Sequence, residues 1–181
     1  LLSQAVAREL ADHGKKVLLC NVLQLENVSK PIVRHNLNLT EITLQSQECF
    51  REYIILKLKL KPLYNAFLNN RIANYFEKAA PGVREMVLLG KFWYEKRNYD
   101  HVVVDMPSTG YALTMLNTPF NFRNLFPGGP VYSDSNDIIE TFSDQQETAF
   151  VTVTLPEEMP IQESFDLAQS LGKILPTNKP W

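Results

Sequence analysis

Apolar residues along the chain fall into short unbroken runs separated by longer stretches with helical spacing, an order that predicts helices alternating with buried strands. Leu2, Val6 and Leu10 form one helical stripe, and Gly14 is placed to end that helix. Val17-Leu18-Leu19-Cys20 follows as a short buried strand. Val102-Val103-Val104 runs without polar alternation into Asp105, which reads as a strand buried on both faces, as in a parallel sheet, with the acid at its carboxyl end. Leu37, Leu39, Ile42 and Leu44 alternate imperfectly across residues 36–44, giving a strand or an edge strand. Phe150 to Thr154 alternates with β-branched residues and predicts a further strand.

Residues 46–97 are mostly helical in pattern. Cys49-Phe50 and Tyr53-Ile54 give an apolar stripe, and Ile55, Leu56, Leu58 and Leu60 are interleaved with Lys57, Lys59 and Lys61. Pro62 breaks or starts a helix, and Leu63, Ala66, Phe67, Ile72, Tyr75 and Phe76 continue the spacing. Pro81-Gly82 marks a turn, after which Val83, Met86, Val87 and Phe92-Trp93 form another helix. Ala112 to Met115 begin a helix that Asn117-Thr118-Pro119 should end, and Phe126-Pro127-Gly128-Gly129-Pro130 is a turn. Ser133 or Asp134 is placed to cap the helix through Ile138, Ile139 and Phe142, and Ser164 to Leu171 forms the last helix. The ending from Leu175 has no periodicity. The expected fold is α/β, a mostly parallel sheet covered by helices, in one domain over residues 1–181 with residues 46–97 as a helical insert.

Composition narrows this picture. With 181 residues, 45% apolar and 21% charged, the chain can bury the core of one domain of ordinary size. A formal charge of −2 gives no electrostatic reason to expect a nucleic-acid partner. Cys20 and Cys49 lack the close spacing of a structural zinc site, so reduced thiols are expected. No apolar run approaches the roughly 20 residues of a membrane span, and a cytoplasmic location is expected. The four lysines and arginines from Arg51 to Lys61 read as a solvated face rather than a phosphate site.

The candidate chemistry lies at Asp105. A carboxylate at the carboxyl end of a sheet strand, followed by Pro107, Ser108, Thr109 and Gly110, suits a metal-bound water beside a phosphate, although the tetrapeptide by itself is equally an ordinary strand ending in a polar turn. Asp105, Thr109 and Gly110, with Tyr111 next, resemble the D-x-x-x-T-G-H signature of the arsenite-pump, anion-transporting ATPases and their relatives that target tail-anchored membrane proteins. The resemblance implies a P-loop-like fold, ATP and Mg²⁺ as ligands, a homodimer, and a client that is an anion or a membrane-protein tail. It makes Asp105 the acid that holds magnesium through water, and Pro107, Ser108, Thr109, Gly110 and Tyr111 a switch loop that follows the γ-phosphate. Tyr111 departs from the signature's histidine.

The same resemblance covers the opening helix, Leu2-Ser3-Gln4-Ala5-Val6-Ala7, which in the family follows a glycine-rich phosphate loop that would lie before Leu1. It also covers Thr154-Leu155-Pro156-Glu157, where Glu157 would contact nucleotide and Glu163 matches a further family acid; by itself, Pro156-Glu157-Glu158 is as readily the first turn of a helix. The family's first sensing loop carries an Asp that orients the attacking water, yet Asn21 to Lys30 contains no Asp. Either the chain departs from the family there or a break falls near Cys20 to Val22. Apolar helices in the insert correspond to the client groove of the targeting branch, while stripes at helical spacing more often face a core. Two functions follow: an ATP-hydrolysing switch, or a non-catalytic nucleotide-binding scaffold that keeps the fold. In both, Asp105 and Glu157 should open on the same sheet edge.

Overall fold

A computed structural model describes residues 1–22, 33–34, 37–58 and 82–177. Expectations placed on Leu23 to Lys30, on Asn36, on Lys59 to Phe76, on Pro81 and on Asn178 to Trp181 lie outside the described residues, as do the side chains of Ile54 to Leu58. The chain divides into two compact units, Leu1–Pro107 and Ser108–Trp181. The fold class is α/β, as expected.

In the first unit, α1 (Leu2–Asp12) leads into β1 (Val17–Val22), followed by β2 (Val33–Arg34), β3 (Leu39–Leu44), α2 (Ser46–Leu58), α3 (Val83–Glu95), a short 3-10 turn (Lys96–Asn98) and β4 (His101–Asp105). Strand order is β2-β3-β1-β4, with β3 and β4 both parallel to β1 and the two-residue β2 antiparallel to β3. Gly14, at φ 79°, stops α1 as its spacing predicts: its N–H donates to the Ala11 carbonyl at 3.0 Å and that of Lys15 to Leu10 at 3.1 Å. This pair of bonds closes the helix where only a residue without a Cβ turns cheaply into the left-handed region.

The turn after α1 is locked to both neighbours of β1. Lys16 N–H donates to the Asp100 carboxylate at 2.8 Å, and Asp100 N–H donates back to the Lys16 carbonyl at 2.8 Å. Val17 N–H reaches the Asn38 carbonyl at 2.7 Å. These bonds set the register in which Val17 pairs with Leu39 and His101, and Asn21 with Thr43 and Asp105. Neighbours in register on parallel strands point to the same face, so Val17, Leu19 and Asn21 share a face with Leu39, Glu41 and Thr43 and with Val103 and Asp105.

α1 packs on that face, but not through the expected stripe. Ala7 and Ala11 are buried with Val17, Leu19 and Leu39, while Leu2 and Val6 are 48% and 43% exposed and only Leu10 of the expected stripe joins the core. Small side chains let the helix axis approach the sheet, and that closeness decides which face turns inward. The opposite face carries Leu18, Cys20 and Val22. α3 buries Met86, Val87, Leu88, Leu89, Phe92 and Trp93, so these insert residues are core.

Three strand expectations need correction. β4 is the edge of the described sheet, and Val102, Val103 and Val104 are half-buried rather than buried on both faces. β1 continues through Cys20, Asn21 and Val22, each paired in register with β3, so the expected break near Cys20 to Val22 is not present. Phe150 to Thr154 forms no strand: Val151 and Val153 are 63% and 69% exposed, and the segment has no ladder partner among the described residues. Strand propensity needs a neighbouring strand to express it.

The second unit is helical: α4 (Thr109–Leu125), α5 (Gly129–Ser143) and α6 (Glu158–Ile174). Pro119 does not end α4, since Met115, Leu116 and Phe122 on either side of it are buried. That packing outweighs a cost of about 3 kcal/mol for an interior proline. Ser133 and Asp134 lie inside α5 rather than capping it, because Pro130, with φ already fixed for a helix, starts the helix earlier.

Lys91, on α3, ties that helix to α2: its Nζ lies 2.6 Å from Glu52 on α2 and 2.8 Å from Glu95 on α3. Burial pushes the Glu95 carboxyl up, but hydrogen bonds from Lys91 and Asn98 outweigh it and hold Glu95 below the ordinary glutamate range. We expect Lys91→Met to lower stability by about 1–2 kcal/mol in urea unfolding. A depressed carboxyl stabilises above its unfolded pKa and loses that contribution as pH falls through the folded value. The gap between wild type and variant should therefore narrow on acidification, and a constant gap would count against this pairing.

Both cysteines are free and buried. Burial, then the Glu95 charge, pushes the Cys20 thiol far up; burial, then the Glu52 charge, pushes Cys49 up to about 12. At pH 8 neither is a thiolate, so a water-soluble disulfide reagent should label both at least about 100-fold more slowly in the native protein than in urea.

Candidate functional site

The carboxyl edge of the parallel sheet gathers the polar residues of the first unit's α1 face. Asn21 ends the inward row that Val17 and Leu19 begin, between Thr43 on β3 and Asp105 on β4. Adjacent strands lie about 4.8 Å apart, so these three residues form one row across the edge. Asn21 Nδ2 donates to Glu41 Oε1 at 2.7 Å in a part-buried hydrogen bond. Glu41 sits one row back, in register with Leu19. Because α1 returns to the amino end of β1 through the Gly14 turn and packs by Ala7 and Ala11, its first turn lies toward this same edge.

Asp105 is exposed at the end of β4. Among the described residues no three His, Cys, Asp or Glu gather to hold a metal. A single exposed carboxylate one strand away from an amide fits Mg²⁺, which takes one or two carboxylates and draws its remaining oxygens from water and phosphate. The donor set is therefore compatible with magnesium.

The expected switch loop spans the boundary of the two units. Pro107 closes the first, and Ser108 is the N-cap residue of α4 in the second. Thr109, Gly110 and Tyr111 form the first turn of α4, so the T-G pair is helix and not loop. Ala112 N–H donates to the Ser108 carbonyl at 3.0 Å, and Thr114 Oγ1 donates to the Gly110 carbonyl at 3.0 Å. Glu157 is the N-cap residue of α6, exposed, with its carboxylate making no cap hydrogen bond; its carbonyl accepts from Ile161 N–H at 3.0 Å. Pro156-Glu157-Glu158 is thus a helix start, one of the two readings its sequence allows. Asp105 belongs to the first unit and Glu157 to the second.

The sequence pattern of the anion-transporting ATPases matches residues 2–127, which include α1, the whole parallel sheet and the D-x-x-x-T-G run. The chain belongs to the anion-transporting ATPase family. Within it, the chain is 26% identical over 195 residues to ATPase BagA of Mycobacterium tuberculosis, covering 96% of this chain and 57% of that protein. It is 23% identical over 232 residues to an Aquifex aeolicus protein named "Putative arsenical pump-driving ATPase 2", covering 97% of this chain and 76% of that one. A 111-residue segment is 30% identical to a Halobacterium salinarum protein named "Putative arsenical pump-driving ATPase", covering 55% of this chain and 17% of that protein. The chain thus spans 57% of the length of its mycobacterial relatives. The 232-residue alignment exceeds the 181 residues of this chain, so family members carry segments with no counterpart here.

The Asn21–Glu41 pair escaped the sequence reading. Its signal was present: Asn21 stands two residues after Leu19 and four after Val17, an inward position of a buried strand occupied by an amide. Only strand register shows that Glu41 lies within its reach.

Proposed function

We propose that this chain is the nucleotide-responsive part of an ATP-hydrolysing switch protein. The observation that carries the reading is Asp105, exposed at the carboxyl end of a parallel sheet and four residues ahead of the Thr109-Gly110 helix start, in a chain of the anion-transporting ATPase family. Open α/β sheets bind ligands at that edge. Phosphoryl transfer needs positioning and charge stabilisation more than covalent chemistry.

Magnesium, when bound, neutralises charge on the phosphates. Asp105 is the residue that would hold it, its carboxylate supplying the negative charge. Thr109 and Gly110 offer backbone N–H groups at a helix start, where anions are favoured. Pro107 to Tyr111 carries the response of Asp105 into α4, and Glu157 contacts nucleotide. In this reading the protein works as a cytoplasmic homodimer that magnesium ATP brings together face to face, with an anion or a membrane-protein tail as client. Among the described residues no helix is long and apolar enough to cross a membrane. The second reading, a nucleotide-binding scaffold without turnover, is favoured by Tyr111 in the family's His position and by the lack of an Asp from Asn21 to Lys30.

Magnesium-dependent ATP hydrolysis by the full-length protein separates the two. Asp105→Asn should lower kcat by about 100-fold while changing ATP affinity only a few-fold, since the amide still hydrogen-bonds but carries no charge. Tyr111→Phe should change turnover by less than about threefold, because a neutral phenol does not share the titration of an imidazole. Full turnover in Asp105→Asn would remove the role given to that carboxylate, and tight ATP binding without any turnover in the wild type would select the scaffold.

A further inference from the structure

The corner between α4 and α5 presents apolar side chains to solvent. Seven successive residues from Asn124 to Pro130 are exposed, with Leu125 at 69% and Phe126 at 45%, and Tyr132 follows at 36% on the first turn of α5. So long an exposed run at a turn between two helices is a protruding tip and not a groove. Phe126 is held at its base: its ring packs 5.7 Å from that of the buried Phe122, and its N–H donates to the Phe122 carbonyl at 2.9 Å. Behind the tip, the Arg123 guanidinium lies 5.5 Å from the Phe120 ring and makes no ion pair among the described residues.

Charge is segregated away from this corner. No Asp or Glu stands between Asp105 and Asp134, so every acid of the second unit comes after the tip, and Arg123 is the one charged residue in that interval. From Leu125 to Val131 no side chain carries a hydrogen-bond donor or acceptor, and Pro127 and Pro130 have no N–H. A protein interface seats its apolar anchors in pockets and fixes their orientation with a polar rim. This tip has the anchors without the directional groups. A lipid interface needs neither pocket nor direction: it takes Leu and Phe at the acyl boundary and Tyr and Arg among the headgroups.

We infer that the α4–α5 corner docks this protein shallowly and reversibly on a lipid bilayer, with Leu125 and Phe126 at the acyl boundary and Arg123 and Tyr132 among the headgroups. The irregular backbone of the turn joining the two helices limits the depth, because unpaired backbone groups are not tolerated in hydrocarbon. Two buried apolar side chains make a weak anchor, about half bound at about 10 mM accessible lipid. The chain carries a formal charge of −2, so apolar insertion and not charge supplies the attraction, and binding survives salt.

The experiment floats the full-length protein with phosphatidylcholine vesicles at about 10 mM lipid. Beside the wild type run Leu125→Asp, Phe126→Asp and, as an apolar pair at least as exposed elsewhere in the second unit, Val151→Asp and Val153→Asp. About half of the wild type should float, at about 50 mM and about 500 mM salt alike. Leu125→Asp and Phe126→Asp should float at least about tenfold less, and the two valine variants as the wild type does. Replacing about a third of the lipid by phosphatidylglycerol should change wild-type flotation by less than about threefold. A wild type that does not float overturns the inference, and so does flotation abolished by salt. An equal loss in the valine and tip variants makes the binding general apolar adhesion and overturns it. Tip variants that lower self-association in light scattering, with no vesicle binding by the wild type, assign the corner to a contact between copies instead. Should the Asp variants lose their melting transition, Phe126→Trp decides, its emission measured against that of the wild type. A blue shift with vesicles and quenching by brominated lipid support the docking; unshifted, unquenched emission overturns it.

Discussion

The register of β1 between β3 and β4 is the constraint on which the first unit depends. It is fixed at one end, where Lys16 and Asp100 exchange backbone and carboxylate hydrogen bonds and Val17 meets Asn38. From there the two-residue alternation of a strand sends every side chain of β1 to a determined face. A slip of one residue would turn Leu19 away from Ala7 and Ala11 and carry Asn21 away from Asp105. The polar row is therefore set by the opposite end of the sheet, about four residues away, and by a helix cap at Gly14 that has no chemical role of its own.

Much of this order is legible in the sequence because it is local. The Gly14 stop, the runs Val17 to Cys20 and Val102 to Asp105, and the helix over Val83 to Trp93 each announce themselves within a dozen residues. The failures share a cause: each needed knowledge of a distant neighbour. Leu2 and Val6 are larger than Ala7 and Ala11, yet the sheet takes the two alanines together with Leu10. Pro119 looks like a stop until the burial of Phe122 and Met115 is counted. Val151 and Val153 have the composition of a strand and no strand beside them among the described residues.

At the candidate site the same division holds. Asp105 could be found from an apolar run ending in an acid, and the T-G pair after it gave the family. The Asn21–Glu41 bond could not, since the two residues are 20 positions apart and meet only through the parallel pairing of β1 with β3. The motif also changes character along its length: Asp105 finishes a strand of one unit, and Thr109 opens a helix of the other.

The two faces of the sheet differ in the kind of ligand atom they hold. The α1 face ends in amide, hydroxyl and carboxylate oxygens, whereas the only two sulfurs of cysteine in the chain, Cys20 and Cys49, are enclosed with their protons retained. A thiol-seeking ion would have to part the α2 and α3 layer to reach them, and would meet neutral SH groups when it arrived. In the folded first unit the exposed Asp105 carboxylate is within reach of a hard, oxygen-preferring ion, and the two buried thiols are not within reach of a soft one.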